Sequence, residues 1–171
     1  MKKHLLILAI SAFTMSCSND DNNDVVIPIL PIVTSETYQL TAYNTATPTD
    51  LNGDGIASVN QMTEINCFNA NSITVKSDNT FSAQQNGVYV ETETTPATAL
   101  CYEIPQISGT WTIAEGVITL NYTYEGVAAE QQYVMNDTSL SSTYSDNYIV
   151  SRDDTGAAVY ITTDLTIIYT K

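Results

Sequence analysis

Residues 109–124 read Gly109-Thr110-Trp111-Thr112-Ile113-Ala114-Glu115-Gly116-Val117-Ile118-Thr119-Leu120-Asn121-Tyr122-Thr123-Tyr124. Ile118, Leu120, Tyr122 and Tyr124 fall at every second position, with Thr119, Asn121 and Thr123 between them, which is the period of a strand with one buried and one wet face. Ahead of them, Gly109 to Ile113 forms a second strand, joined through Ala114-Glu115-Gly116, a glycine-bearing link of hairpin length. The stretch therefore predicts an antiparallel hairpin, with Trp111 beside Ile113 as a core filler.

The same pattern extends in both directions. Glu125-Gly126 turns into a strand near Ala128 to Met135, Asn136-Asp137 turns again, and Leu140 to Tyr144 follows. Tyr148-Ile149-Val150 and Val159-Tyr160-Ile161 flank the acidic turn Arg152-Asp153-Asp154-Thr155-Gly156, and Leu165 to Tyr169 makes a closing strand. Towards the N-terminus, Tyr38, Leu40 and Ala42 share a face, as do Ile73 and Val75, then Phe81 and Ala83 beyond the Asp78-Asn79 turn. Gly87 to Glu91 adds a candidate strand, and the following TETTPATA, residues 92–99, reads as a loop. Short strands about ten residues apart predict an all-β antiparallel barrel or sandwich. Tyr38, Tyr122, Tyr124 and Tyr169 are expected to face inward, and Tyr43 and Tyr160 outward.

One stretch departs from the strand pattern. In Asp50 to Cys67, DLNGDGIASVNQMTEINC, the side chains of Asp50, Asn52 and Asp54 alternate ahead of Gly55, as in the opening of a calcium-binding loop. Ile56 would add its carbonyl and Ser58 a direct or water-bridged contact. The closing carboxylate position falls on Gln61, an amide, so Glu64 one helical turn later is the candidate replacement. A solvated turn is the competing reading, since Asn-Gly and Asp-Gly are also common turn dipeptides. From Ser58 to Cys67 no glycine or proline intervenes, and Val59, Met62, Ile65 and Asn66 are spaced as on one short amphipathic helix.

The N-terminus places the chain in a cell. Lys2 and Lys3 precede the apolar run Leu5 to Ile10, a secretory signal rather than a membrane span. Phe13-Thr14-Met15-Ser16-Cys17 resembles a bacterial lipobox, with Thr14 and Met15 where Leu and Ala are more typical. The resemblance implies diacylglycerol on the Cys17 thiol and removal of residues 1–16. Residues 17–35 then form a lipidated, acidic and proline-containing tether, and residues 36–171 the folded domain. Asp20, Asp21 and Asp24 close behind Cys17 look like the surface-export signal of Bacteroidetes lipoproteins, so the expected location is the outer membrane, at the cell surface. With Cys17 claimed by lipid, Cys67 and Cys101 are expected to pair in this oxidising compartment.

Charge and composition then remove function classes. The full chain carries 19 acidic and 5 basic side chains, a formal charge of -14. Without Lys2 and Lys3 it is about -16, an improbable surface for nucleic acid. The single histidine, His4, lies in the signal, so the mature chain lacks Ser-His and Cys-His catalysis and histidine-bound zinc. Carboxylate pairs drawn from Glu91, Glu93 and Glu103, or Asp153 and Asp154, are the remaining route to a hydrolase.

Lipobox, DLNGDG loop, the cysteines Cys67 and Cys101 and the Gly109-Thr110-Trp111 hairpin, in this order, resemble the lipocalin-like lipoproteins of Bacteroidetes. The likeness spans about Thr37 to Lys171, but Thr37-Tyr38-Gln39-Leu40 stands where lipocalins proper have Gly-x-Trp. It implies an up-and-down barrel of about eight strands with one short helix, anchored by lipid and usually without an assigned activity. The functional expectation is a monomeric, non-catalytic binding or interaction module for a small hydrophobic or sugar ligand, with calcium as a stabiliser. A carboxylate hydrolase and a purely structural or adhesive surface protein are the alternatives.

Overall fold

The computed structural model describes residues 34–91, 93, 97–153 and 155–171. The expected signal, the expected lipidation site Cys17 and the expected tether up to Val33 lie outside the described residues. Within them the alternating pattern becomes eleven strands. In chain order these are β1 (Glu36–Thr49), β2 (Ser58–Asn60), β3 (Ser72–Val75), β4 (Thr80–Gln84), β5 (Gly87–Glu91) and β6 (Thr98–Tyr102). They continue as β7 (Ile107–Ala114), β8 (Val117–Tyr124), β9 (Val127–Met135), β10 (Ser139–Arg152) and β11 (Ala158–Thr170).

Eight of them, β1, β3, β4, β7, β8, β9, β10 and β11, pair in that order, each antiparallel to the next, and β11 returns to β1. This is a closed up-and-down barrel, as expected, and closure removes the sheet edges. Two insertions interrupt it. β2 pairs with the far end of β1, and β5–β6 form a separate two-stranded hairpin between β4 and β7.

Local chemistry explains the meander at its centre. Glu115 and Gly116, and again Glu125 and Gly126, have φ of 52°, 78°, 50° and 81°. Two consecutive residues at positive φ give a type I′ turn, whose twist suits the flanking strands. Gly109 serves a different need, because a Cβ there would run into the backbone carbonyl of Asn121 on the neighbouring β8. Inward-facing Ile73, Val75, Phe81, Ile118, Leu120 and Leu140 fill the interior. Trp111 joins this core, its indole N–H donating to the Lys76 carbonyl at 3.0 Å and its backbone N–H to Asn79 at 2.9 Å. It thereby fills the barrel end that the β3–β4 turn covers.

Four expectations need correction. The Ser58 to Cys67 stretch is no amphipathic helix: it holds β2, a turn, and the start of a 3-10 turn, Asn66–Phe68, the only helical element among the described residues. Side chains supply the backbone partners there, with Ser58 Oγ accepting from the Asn60 N–H and Asn60 Oδ1 from the N–H groups of Met62 and Tyr43. Tyr43 faces inward, because a bulge between Leu40 and Ala42 inserts Thr41 and shifts the alternation by one. Tyr124, the last residue of β8, is exposed rather than inward, while Tyr160 is exposed as expected. Finally, the segments flanking Asp146 and those around Thr162 are not separate strands but the continuous β10 and β11, with a register break between Tyr144 and Asn147 where Asp146 has φ 55°.

Cys67 in the 3-10 turn is bonded to Cys101 on β6, their Cα atoms 5.1 Å apart. The expected pairing is therefore present. It ties the inserted hairpin to the segment between β2 and β3.

Candidate functional site

The β5–β6 hairpin and the barrel border a half-open cavity of about 230 Å³. Leu40 and Tyr43 from β1, Gln131 from β9, and Ile167 and Tyr169 from β11 form its barrel wall; Gly87, Val88 and Tyr102 of the hairpin form the roof. Two features shape that roof. A Cβ at Gly87 would collide with the ring of Tyr102, its partner across the hairpin, so glycine lets the phenol lie flat over the strand. Phe68, beside Cys67, stacks on Tyr43 with ring centroids 4.6 Å apart and planes at 10°.

Amide side chains make up much of the rest. Asn71 and Asn86 exchange two hydrogen bonds: Asn71 Nδ2 donates to the Asn86 carbonyl at 2.9 Å and Asn86 N–H to Asn71 Oδ1 at 2.7 Å. Gln85 Nε2 donates to Gln131 Oε1 at 3.0 Å, and Gln131 Nε2 to the Tyr144 hydroxyl at 3.0 Å. Burial first, then the neighbouring Tyr102 and Tyr144 phenols, push the Tyr43 hydroxyl above its ordinary pKa, and burial does the same to Tyr169. Among the described residues, the cavity lining carries no ionisable side chain other than its tyrosines.

The Asp50 loop lies elsewhere, against the ends of β10 and β11. Asp50 accepts the N–H groups of Gly53 at 2.7 Å and Gly55 at 2.9 Å, Asn52 Oδ1 that of Asp54 at 2.9 Å, and Asp54 Oδ1 that of Ile56 at 2.8 Å. Glu64 is buried behind the loop, where one carboxylate oxygen accepts from the Leu51 N–H at 3.1 Å and the Asn52 N–H at 3.5 Å. Ile56 is exposed, and the Ser58 hydroxyl is engaged by Thr63 at 2.9 Å. Gln61 points inward, donating to Ser58 and Thr45 and leaving its buried Oε1 without a partner. Among the described residues, no group of three or more His, Cys, Asp or Glu side chains is placed to hold a metal ion.

Of the carboxylates considered for hydrolysis, Glu91, Glu93, Glu103 and Asp153 are exposed, and Asp154 lies outside the described residues. Asp153 shares a surface depression with Asp50 and Arg152. Its carboxylate is spent on the Thr155 hydroxyl and N–H and the Ala157 N–H, which hold its pKa below the usual carboxylate range. That suits a fixed acceptor, not a proton donor.

A family model described as a lipocalin-like domain matches residues 34–144, from ahead of β1 into β10. The chain belongs to the lipocalin-like family. Comparison with curated proteins and with solved structures gives no match. In this lipocalin-like barrel the matched residues include the roof, the disulfide and most of the cavity wall, while Ile167 and Tyr169 lie beyond them. Reading the chain as strands misses Asn71, Gln85, Asn86 and Gln131. One signal was available: Gln131 occupies an inward position on β9 two residues before buried Tyr133, where an apolar residue would be expected.

Proposed function

We propose that this lipocalin-like protein is a binding module of a bacterial envelope, tethered by lipid on Cys17, with the cavity beneath the β5–β6 hairpin as its ligand site. The observation that carries the reading is that cavity, walled by a barrel with buried Trp111 at its other end and roofed by a disulfide-tied hairpin. The tether needs its own test. Expressed in a lipoprotein-processing bacterium, the chain should fractionate with membranes and carry the mass of a diacylglyceryl group, and Cys17→Ser should abolish both. A soluble, unmodified wild-type product would refute the anchor. Protease treatment of intact cells then separates surface exposure from a periplasmic orientation.

Ligand occupancy is tested by native mass spectrometry of the disulfide-intact protein against mixed small metabolites. A retained small molecule, lost when Gln85 and Gln131 are replaced by leucine, supports the site.

Calcium at the Asp50 loop belongs to the same proposal as a stabiliser. Asp50, Asn52 and Asp54 already hold their oxygens on one loop. An oxygen that accepts one N–H keeps a second lone pair. Ser58, the Ile56 carbonyl and Glu64 complete the candidate donors, with Glu64 serving mainly to support the loop backbone. With no carboxylate at the closing position, Gln61, the expected Kd is in the weak range of about 10⁻⁴ to 10⁻³ M. Millimolar calcium should raise Tm and chelator should reverse it. An unchanged melt would leave a hydrogen-bonded turn.

A further inference from the structure

We propose that the cavity takes an uncharged, hydroxyl-rich ring, a neutral sugar unit, and not an acyl chain. The inference rests on the binding reading above and concerns only the class of ligand.

Three properties of the lining argue for it. The first is charge: among the described residues no carboxylate, ammonium or guanidinium lines the cavity. An ionised ligand would lose its hydration without gaining a counter-charge, and an anion such as a fatty carboxylate would also meet the field of a strongly acidic protein.

The second is hydrogen-bonding capacity. In the chain Gln85 to Gln131 to Tyr144, Gln85 Oε1 makes no hydrogen bond to a described residue, and Gln131 Nε2 has a second N–H beyond the one given to Tyr144. The Tyr43 hydroxyl likewise makes no hydrogen bond to a described residue, and burial keeps it a neutral donor. A hydrocarbon would strand these groups, whereas sugar hydroxyls, each both donor and acceptor, match a wall that offers both.

The third is shape. About 230 Å³ is below the range of roughly 300–1,000 Å³ usual for drug-sized ligands. Such a space suits one ring better than a long chain. Tyr102 lying flat across Gly87, with the stacked pair Tyr43 and Phe68, provides planar apolar surface for the C–H face of that ring.

The test is calorimetry on the disulfide-intact chain with a panel of neutral mono- and oligosaccharides, a uronic acid and a medium-chain fatty acid. A neutral sugar should bind, and the uronic and fatty acids should bind at least about tenfold more weakly. Tyr43→Phe keeps the stack on Phe68 and removes only an unengaged hydroxyl, so it should fold normally and lose about tenfold in sugar affinity; Gln131→Leu should lose more. Saturable fatty-acid binding with silent sugars would overturn the ligand class and leave the binding reading standing. No saturation by any member of the panel, with the protein folded, would overturn both.

Discussion

Gly109 shows how much one missing methyl group decides. Gly109→Ala would push a Cβ into the Asn121 carbonyl, an atom that moves only if the β7–β8 ladder shifts. The expected loss is about 1–3 kcal/mol, as for other overpacked positions, read as a lower midpoint in denaturant. Leu120→Ala tests the opposite case, a fully buried side chain whose removal leaves a void, and should cost about 2–5 kcal/mol. Single-residue legibility was uneven for a physical reason. Ile118 and Leu120 could be read because β8 keeps a strict period, but Tyr43 could not, because the Thr41 bulge that turns it inward leaves no mark in the pattern of apolar residues. Gly87 could not be read either, since its purpose is a phenol 15 residues away in sequence, on another strand.

Among the elements, the β5–β6 hairpin stands apart. A lone two-stranded ribbon is at best marginally stable in water, and this one is held chiefly by packing on the 3-10 turn and by the Cys67–Cys101 bond. Closing a loop of 34 residues by separation contributes on the order of 3–4 kcal/mol in the chain-entropy model. Cys67→Ala together with Cys101→Ala should therefore lower stability by about that amount. In hydrogen exchange the amides of β5 and β6 should lose protection first, while β7 to β9 keep theirs; a uniform loss would mean the bridge supports the barrel instead. Sequence exposed the pairing because only two cysteines were left. It did not expose the roof, because nothing local says where an inserted ribbon folds back. The long β10 and β11 were read in halves for a related reason: Asp146 and its neighbours carry turn chemistry, and only cross-strand pairing shows the ladder resuming beyond them.

For the molecule as a whole, the barrel class followed from the serial hairpins, but closure itself was legible only by resemblance. The pairing of β11 with β1 joins residues more than a hundred positions apart, and no local period encodes it. Whole-molecule pH behaviour follows from what closure buries. Desolvation raises the pKa of Tyr43, Tyr133 and Tyr169, and Tyr133 is additionally packed edge-on to Tyr169 at 5.8 Å. Their contribution is complete below the ordinary phenol pKa of about 10 and is lost as pH rises through the higher folded values. Stability should therefore fall above about pH 10; in difference absorbance against Tyr43→Phe, Tyr133→Phe and Tyr169→Phe variants, the phenolates of these three residues should appear together with unfolding, and their formation in a still-folded barrel would contradict the assignment. At the acid end the sign reverses. Lys171, hydrogen-bonded to Glu36 at 2.7 Å, holds that carboxyl below its usual value, so its contribution is present above about pH 4.5 and is lost as pH falls further.

The same Glu36–Lys171 contact also has a practical bearing. It seats the start of β1 and the last residue of the chain side by side, beside Tyr38 and at the pole where β3 turns into β4. The hairpin roof occupies the other pole. A fluorophore, affinity handle or surface linker joined after Lys171 would therefore stand clear of the proposed ligand site. Attachment at that residue would let the proposed site be probed on a surface with the hairpin end still open.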